Sequence, residues 1–159
     1  MNLIVYRKLN RVNKLKKIFN MEERKILVCI TNHNDTENAI RLKEGFSNHH
    51  ETIIIDSLST DKWENDRNLH IDVTLEENGY YTGLYNESIH QMKRRGYEWM
   101  LFIASDVLVD DIDYFCKCMK DIPEKVRTWS PSSSGQSNKY CKRVGDNSIR
   151  QVPYLEGFC

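Results

Sequence analysis

Glycine and proline are scarce in this chain, with seven and three among 159 residues. The glycine-rich phosphate loops are missing: no G-x-G-x-x-G follows the first apolar run and there is no P-loop, which argues against dinucleotide binding and ATP hydrolysis. No apolar run approaches the roughly 20 residues that span a bilayer, and no signal-peptide pattern opens the chain. With 40% hydrophobic and 29% charged residues, the sequence favours a cytoplasmic globular domain with its own core.

The five cysteines are an odd number and show no metal-ligand spacing. Cys116 and Cys118 are only two residues apart, and Cys29 lies in an apolar run. A structural zinc site needs ligands at characteristic intervals, which are absent here. We therefore interpret the cysteines as reduced thiols of a cytosolic protein.

The formal net charge of zero hides an asymmetry between the two ends of the chain. Residues 1–20 hold six of the 23 basic residues and no acid, so 17 basic residues face 23 acidic ones in the remainder. An acidic body argues against a nucleic-acid-binding face. We define residues 1–24 as the leader. Its apolar spacing is close to helical, which fits either a helix on an anionic membrane surface or a solvated extension before a second start at Met21. In both interpretations it lies outside the folded core.

From Lys25 onward, short apolar runs alternate with amphipathic stretches, which is typical of βαβ units and a mostly parallel sheet flanked by helices. Asp35 or Thr36 is expected to cap the first helix, Gly96 to end the next, and Asp110 or Asp111 to cap a third. The predicted strands are 26–30, 52–55, 71–74, 99–104 and 126–129.

Ligands of such sheets bind at the carboxyl ends of the strands, where the strand order reverses. This rule singles out residues 31–34, 56–61 and 105–106. Without a glycine-rich loop, a divalent cation held by a carboxylate is one way to meet a diphosphate. Asp106 follows the most apolar strand and is the candidate ligand. The structural alternative is that such aspartates only form turns and helix caps.

Taken in order, five segments resemble family-2 glycosyltransferases with the GT-A fold. KILVCITNHND (residues 25–35) resembles the opening strand and P-T-Y-N-type turn, and TIIIDSLSTD (52–61) resembles the V-D-D-G-S-T-D strand. ENGYYTGLYNESI (77–89) resembles the N-x-G helix, and WMLFIASDVLV (99–109) resembles the strand that enters the D-x-D motif. YLEGFC (154–159) resembles the entry to the acceptor-binding half.

The resemblance implies a Rossmann-like nucleotide-diphospho-sugar transferase (GT-A) domain over residues 25–159, incomplete at its C-terminus. By this resemblance Thr31 and His33 would hold the nucleoside base, and Asp56 would bond the base or ribose. Asn78 and Asn86 would line the diphosphate and sugar side of the cleft.

Ser105 would join this nucleotide-sugar site, and Asp106 would bind Mn²⁺ or Mg²⁺ as the second aspartate of D-x-D. The implied reaction is inverting transfer of a sugar from a nucleotide-diphospho-sugar, UDP-linked by default, to a hydroxyl of a glycan or another acceptor. The cation offsets charge on the leaving diphosphate.

This chain departs from the family pattern at several positions. Ala104 replaces the first aspartate of D-x-D, Ser57 the second aspartate of V-D-D, and Leu58 a turn glycine. Tyr85 stands where arginine is common. The family's general base is expected beyond the last residue, and Glu156 is the carboxylate nearest to that end.

Two other functions compete with a metal-assisted transferase. One is a non-catalytic module that binds a nucleotide or a partner protein on a degenerate GT-A scaffold. The other is a nucleotidyltransferase, which would need a glycine-rich, lysine-bearing loop after the first strand, where residues 31–36 have none.

Overall fold

The computed structural model describes residues 3–7, 25–61, 70–120, 122 and 128–129. Within these residues the strands are β1 (Leu3–Arg7), β2 (Ile26–Asn32), β3 (Glu51–Asp56), β4 (Val73–Thr74), β5 (Trp99–Ala104) and β6 (Thr128–Trp129). The helices are α1 (Thr36–Ser47), α2 (Tyr80–Arg94) and α3 (Ile112–Lys120). All six strands join one sheet in the order β4-β3-β2-β5-β1-β6.

The prediction of a mostly parallel α/β sheet flanked by helices is confirmed. β4, β3, β2 and β5 run parallel, with β2 paired to β3 on one side and to β5 on the other. Every residue of β2 is buried. A strand that is covered on both faces shows a continuous apolar run rather than alternation, and this is why residues 26–30 read as a central strand.

Helices cover both faces of the sheet and divide the core in two. On one face α1 and α3 pack over β2 and β5, and Phe46 meets Phe115 edge to face with ring centroids 6.0 Å apart. On the other face α2 covers Leu27, Cys29 and Phe102 of the same strands. The sheet is therefore the middle layer of three, so its functional groups can reach solvent only at the strand ends.

The cysteines in the described part of the chain, Cys29, Cys116 and Cys118, are free thiols. Burial raises the pKa of the Cys29 thiol to about 12 and that of Cys116 to about 11. A thiol that stays protonated is a poor nucleophile, so these two side chains act as packing groups.

The helix ends agree with the sequence in two cases of three. α2 ends at Gly96, whose φ is 77°, and the Tyr97 N–H donates to the Met92 carbonyl at 3.0 Å, as in a Schellman motif. Asp111 caps α3 by accepting the Tyr114 N–H at 2.8 Å.

At the start of α1 the cap differs from the expectation. The side chain of Asp35, the residue before the helix, makes no capping hydrogen bond. The Thr36 N–H donates instead to Asp61 Oδ2 at 2.9 Å. A carboxylate from a distant loop thus takes the place of the local cap.

The leader contains a strand where a helix was considered. Residues 3–7 form β1, which pairs antiparallel with β5 from Leu3 opposite Ile103 to Arg7 opposite Trp99. The helical interpretation is therefore wrong for residues 3–7, which join the sheet as a strand; the run Leu-Ile-Val-Tyr is rich in strand-forming side chains. The remainder of the leader, including Met21 and the expected membrane contact, lies outside the described residues.

β6 pairs antiparallel with β1 and accounts for residues 128–129 of the last predicted strand. The earlier part of that strand and the segment that contains Glu156 lie outside the described residues. Among the described residues, no helix is both long enough and apolar enough to cross a bilayer.

Candidate functional site

The strand order reverses between β2 and β5. After β2 the chain moves to β3 and β4 on one side, and it then returns through α2 to β5 on the other side. Thr31 lies opposite Ala104 in the register, and the Ser105 N–H donates to the Thr31 carbonyl at 2.8 Å. The carboxyl ends of β2, β3 and β5 thus form one edge, which is where parallel sheets bind ligands. We call it the carboxyl edge.

A buried polar network joins the ends of β2 and β3. Asn32 Nδ2 lies 2.8 Å from Asp56 Oδ1, 2.9 Å from Thr36 Oγ1 and 3.1 Å from Ser59 Oγ. Asn32 Oδ1 accepts the Asp35 N–H at 3.1 Å. Neither Asn32 nor Asp56 has any exposed surface. Buried polar groups must be paired, and these are, so the network fixes both strand ends relative to α1.

Asp56 was expected to bond a base or ribose. Its Oδ2 accepts the Ser59 N–H at 3.0 Å, and its Oδ1 accepts from Asn32 and from the Ser59 hydroxyl. In this structure the carboxylate is inaccessible to a ligand and holds the turn after β3.

His33 is exposed beside this network. Its Nδ1 lies 2.7 Å from the Ser57 carbonyl oxygen, and a carbonyl can only accept. The Nδ1 therefore carries a hydrogen, and the second ring nitrogen, Nε2, lies 3.3 Å from Asn34 Nδ2. The imidazole is held at the carboxyl edge with its ring fixed from both sides.

The loop after β4 is tied to the loop after β3. The Ser57 hydroxyl donates to Asn78 Oδ1 at 2.9 Å, and the Gly79 N–H donates to Ser57 Oγ at 3.2 Å. A Cβ on Gly79 would lie 2.8 Å from Leu75 Cδ1 and 2.9 Å from Gly83 Cα. Glycine is required by this close approach, which brings Asn78 to the same edge as His33.

Asn86 lies apart from these residues. It is exposed in α2 and lines a groove of about 650 Å³ together with Leu75, Gly79, Gly83 and four ionisable side chains: Glu76, Glu77, Glu87 and His90. Neither Thr31, His33, Asp56 nor Asp106 lines this groove. Three carboxylates disfavour a diphosphate by charge repulsion, so Asn86 is poorly placed to bind one.

The end of β5 is more exposed to solvent than the ends of β2 and β3. Residues 104–107 form a turn in which the Val107 N–H donates to the Ala104 carbonyl at 3.1 Å. Ser105 is buried, and its carbonyl accepts a hydrogen bond from the Asn38 amide. Asp106 is exposed at the tip of the turn. Thr31 is buried beside it, with its hydroxyl 3.4 Å from the Ile103 carbonyl.

The side chains at the carboxyl edge do not form a metal site by themselves. Within the part of the chain that the structure describes, no group of three or more His, Cys, Asp or Glu side chains could hold an ion. Asp106 offers one exposed carboxylate, Ala104 offers none, and Asp56 is buried. This set fits a cation that arrives with a diphosphate, because Mg²⁺ commonly uses one or two carboxylates with substrate phosphates and water.

The sequence did not identify the residues that build the edge. Asn32, Ser59 and Asp61 had no assigned role, yet they hold both strand ends and the start of α1. Asn34, whose φ is 62°, bonds the Thr60 N–H through its side chain at 2.6 Å. The one available signal was the density of Asn, Asp and Ser in residues 31–36 and 56–61, which is typical of side chain to backbone bonding.

Comparisons with models of protein families, with curated proteins and with solved structures found no match to this chain.

Proposed function

We propose that this chain is the nucleotide-sugar-binding portion of a glycosyltransferase that resembles family 2. It would transfer a sugar from a nucleotide-diphospho-sugar to an acceptor hydroxyl with inversion. One observation carries the proposal: three of the resembling segments end at the same carboxyl edge, where the strand order reverses. Ligand sites of parallel sheets lie at this kind of position.

The donor would extend along the carboxyl edge. The exposed ring of His33 stands at the end of β2 for the base, and Asn78 stands beyond β3. Thr31 is buried with its hydroxyl on the Ile103 carbonyl, so it would support the strand end rather than contact the base. Asp106 follows β5 and is exposed, so it would meet the diphosphate and sugar, whereas Ser105 is buried beneath the turn. UDP is the default nucleotide by family analogy alone.

The role of Asp106 would be to bind Mn²⁺ or Mg²⁺ that is also held by the diphosphate. When bound, such a cation offsets the charge of the nucleoside-diphosphate leaving group. Asp106 follows a buried strand, so its backbone is fixed, whereas its side chain is exposed and can meet the ligand. The protein's own contribution is then to position the diphosphate beside the acceptor hydroxyl.

A non-catalytic module that binds a nucleotide or a partner protein is the second candidate. The observation that favours it is the burial of Asp56, which leaves Asp106 as the exposed carboxylate among the predicted site residues. A general base has to reach the acceptor hydroxyl, and neither carboxylate is assigned this role.

Calorimetric titration with UDP, with and without Mn²⁺, tests the proposal. The parent protein should bind UDP more tightly with Mn²⁺, and Asp106→Asn should abolish this dependence while it preserves the size of the side chain. Asp110→Asn is the matched control, since Asp110 is exposed four residues further along the same loop and should leave the Mn²⁺ dependence intact.

Equal Mn²⁺ dependence in the Asp106→Asn variant and the parent would reduce Asp106 to a turn residue. A parent protein that binds no nucleoside diphosphate under either condition would reject the donor-binding site itself. Hydrolysis or transfer of the sugar from a UDP-sugar by the parent would distinguish the enzyme from the non-catalytic module.

A further inference from the structure

Two large, exposed residues in the loops of the carboxyl edge have positive φ angles. Leu58 has a φ of 51° and Tyr80 a φ of 47°, both in the left-handed region. The two residues are 42% and 76% exposed. Residues other than glycine, asparagine and aspartate rarely adopt this conformation, and such strained residues concentrate at ligand sites.

The two residues are brought together by the tie between their loops. Ser57 and the Asn78–Gly79 pair are joined by the hydrogen bonds of the Ser57 hydroxyl. Leu58 directly follows Ser57 and Tyr80 directly follows Gly79, so each lies one residue beyond the hydrogen bonds that join the two loops. This pairing places Leu58 and Tyr80 on two neighbouring, hydrogen-bonded loops of the carboxyl edge.

Both positions are held firmly. Leu58 is flanked by Ser57 and Ser59, which are 0% and 2% exposed. Ser59 belongs to the buried polar network, and the Ser57 hydroxyl bonds Asn78 and Gly79. The Tyr80 N–H donates to Asn78 Oδ1 at 3.0 Å. The exposed side chains therefore project from fixed backbone, as an anchoring contact for a ligand requires.

We propose that Tyr80 and Leu58 form an apolar platform for the planar base of the nucleoside diphosphate. This inference rests on the proposed function and adds the residues that would recognise the base. A base offers a flat π-face on which a tyrosine ring can stack whatever its hydrogen-bonding pattern. Stacking also buries apolar surface that is otherwise exposed to water.

The position of the platform favours the base over the sugar or the acceptor. Leu58 follows β3, whereas Asp106 follows β5, and β2 lies between these strands. Two strand spacings amount to about 10 Å. The base and the terminal phosphate of a nucleoside diphosphate are separated by a comparable length, through the ribose and the first phosphate, so a nucleotide with its diphosphate at Asp106 would bring its base towards the platform.

Titration of the parent and of Tyr80→Ala with UDP and with inorganic pyrophosphate, both with Mn²⁺, tests the platform. We expect the Kd for UDP to rise at least about tenfold, as for the loss of a base-stacking contact. The Kd for pyrophosphate, which has no base, should change less than about twofold on the same argument. Tyr80→Phe keeps the ring and should bind UDP like the parent. Tyr114→Ala is the matched control, since Tyr114 is 51% exposed on α3.

The outcomes separate this inference from the function on which it rests. A parent that binds UDP and a Tyr80→Ala variant that binds it equally well would overturn the platform and leave the donor site standing. Equal weakening of UDP and pyrophosphate would also overturn it, because Tyr80 would then act on loop geometry. A parent that binds neither ligand would overturn both proposals.

Discussion

The end of β2 and β3 is crowded with buried hydrogen bonds, whereas the end of β5 presents an exposed carboxylate on a short turn. At the first end Asn32, Asp56 and Ser59 bond to one another and have almost no accessible surface. At the second end, no hydrogen bond or ion pair joins the Asp106 side chain to another described residue. The polar groups of the first end hold the backbone in place, and that of the second end is available to a ligand. Polar residues that look equivalent in the sequence thus lie in opposite environments, one buried and one exposed.

Asn32→Ala should have the largest effect on stability. It removes the amide that bonds Asp56 and Thr36 and leaves a buried carboxylate short of a donor. An unsatisfied buried group costs about 1–3 kcal/mol, and more when it is charged, so we expect a loss of about 3 kcal/mol in the free energy of unfolding. Urea denaturation measures it. Asn48→Ala, at the exposed end of α1, should change stability by less than about 0.5 kcal/mol. Equal losses in the two variants would mean that the buried network is not a source of stability.

Leu58→Gly should stabilise the protein by about 1 kcal/mol. The left-handed conformation costs a leucine about 1–2 kcal/mol, and the greater chain entropy of glycine offsets part of the gain. Leu108→Gly is the control, because Leu108 is 67% exposed and has no positive φ. A lower melting temperature for Leu58→Gly than for the parent would show that the side chain of Leu58 packs usefully in the turn.

Tyr97→Phe tests the amino ends of the parallel strands, where the contact is at the surface rather than buried. The Tyr97 hydroxyl donates to Glu51 Oε2 and thereby lowers the pKa of Glu51 from its usual 4.5. A lowered pKa stabilises the fold above the unfolded-state pKa, and this contribution is lost as the pH falls through the folded-state value. The variant should be less stable than the parent at neutral pH by under about 1 kcal/mol.

The difference between parent and Tyr97→Phe should therefore shrink when melting temperatures are measured from about pH 6 down to about pH 3. A constant difference over this range would mean that the hydroxyl acts independently of the Glu51 charge. Burial and the same carboxylate raise the pKa of Tyr97 to about 12, so the contact should persist at mildly alkaline pH.

Asp106→Asn should have the smallest effect, within about 0.5 kcal/mol of the parent in urea denaturation, as for the substitution of an exposed surface side chain. Together with Asn32→Ala it tests whether the two ends of the edge differ as proposed. A loss of 2 kcal/mol or more in the free energy of unfolding, about the cost of breaking a buried contact, would mean that Asp106 stabilises the fold as Asn32 does. It would then not be a ligand-binding residue.

The sequence predicted the central strands well because their environment leaves a local signature. Residues 26–30 and 99–104 are continuous apolar runs, as burial on both faces requires. β1 was missed because its partner, β5, lies about a hundred residues away in the sequence. The apolar residues of the leader also recur at a spacing close to helical, which favoured a helix.

The sequence predicted which strand ends meet at the carboxyl edge, but not the side-chain contacts that hold them there. Position follows from topology, which the alternation of elements reveals. Construction depends on pairs such as Asn32 with Asp56 and Thr36 with Asp61, which are 24 and 25 residues apart. Turn chemistry can be read locally, but the partner of a side chain across two loops cannot. This is why Asp56 was expected to contact a ligand, whereas its carboxylate is buried and bonded to Asn32 and Ser59.

The antiparallel β1 has a consequence for the order in which the chain can fold. Leu3 pairs with Ile103, and the segments that form the parallel strands lie between these two residues in the sequence. Contacts of such long sequence separation form slowly because closing the intervening chain costs entropy. During synthesis β1 is made early and β5 late, so the backbone groups through which these two strands pair remain without that partner until both have been made. We expect the docking of β1 to be a late step of folding, before which the unpaired side of β5 is the surface most prone to aggregation.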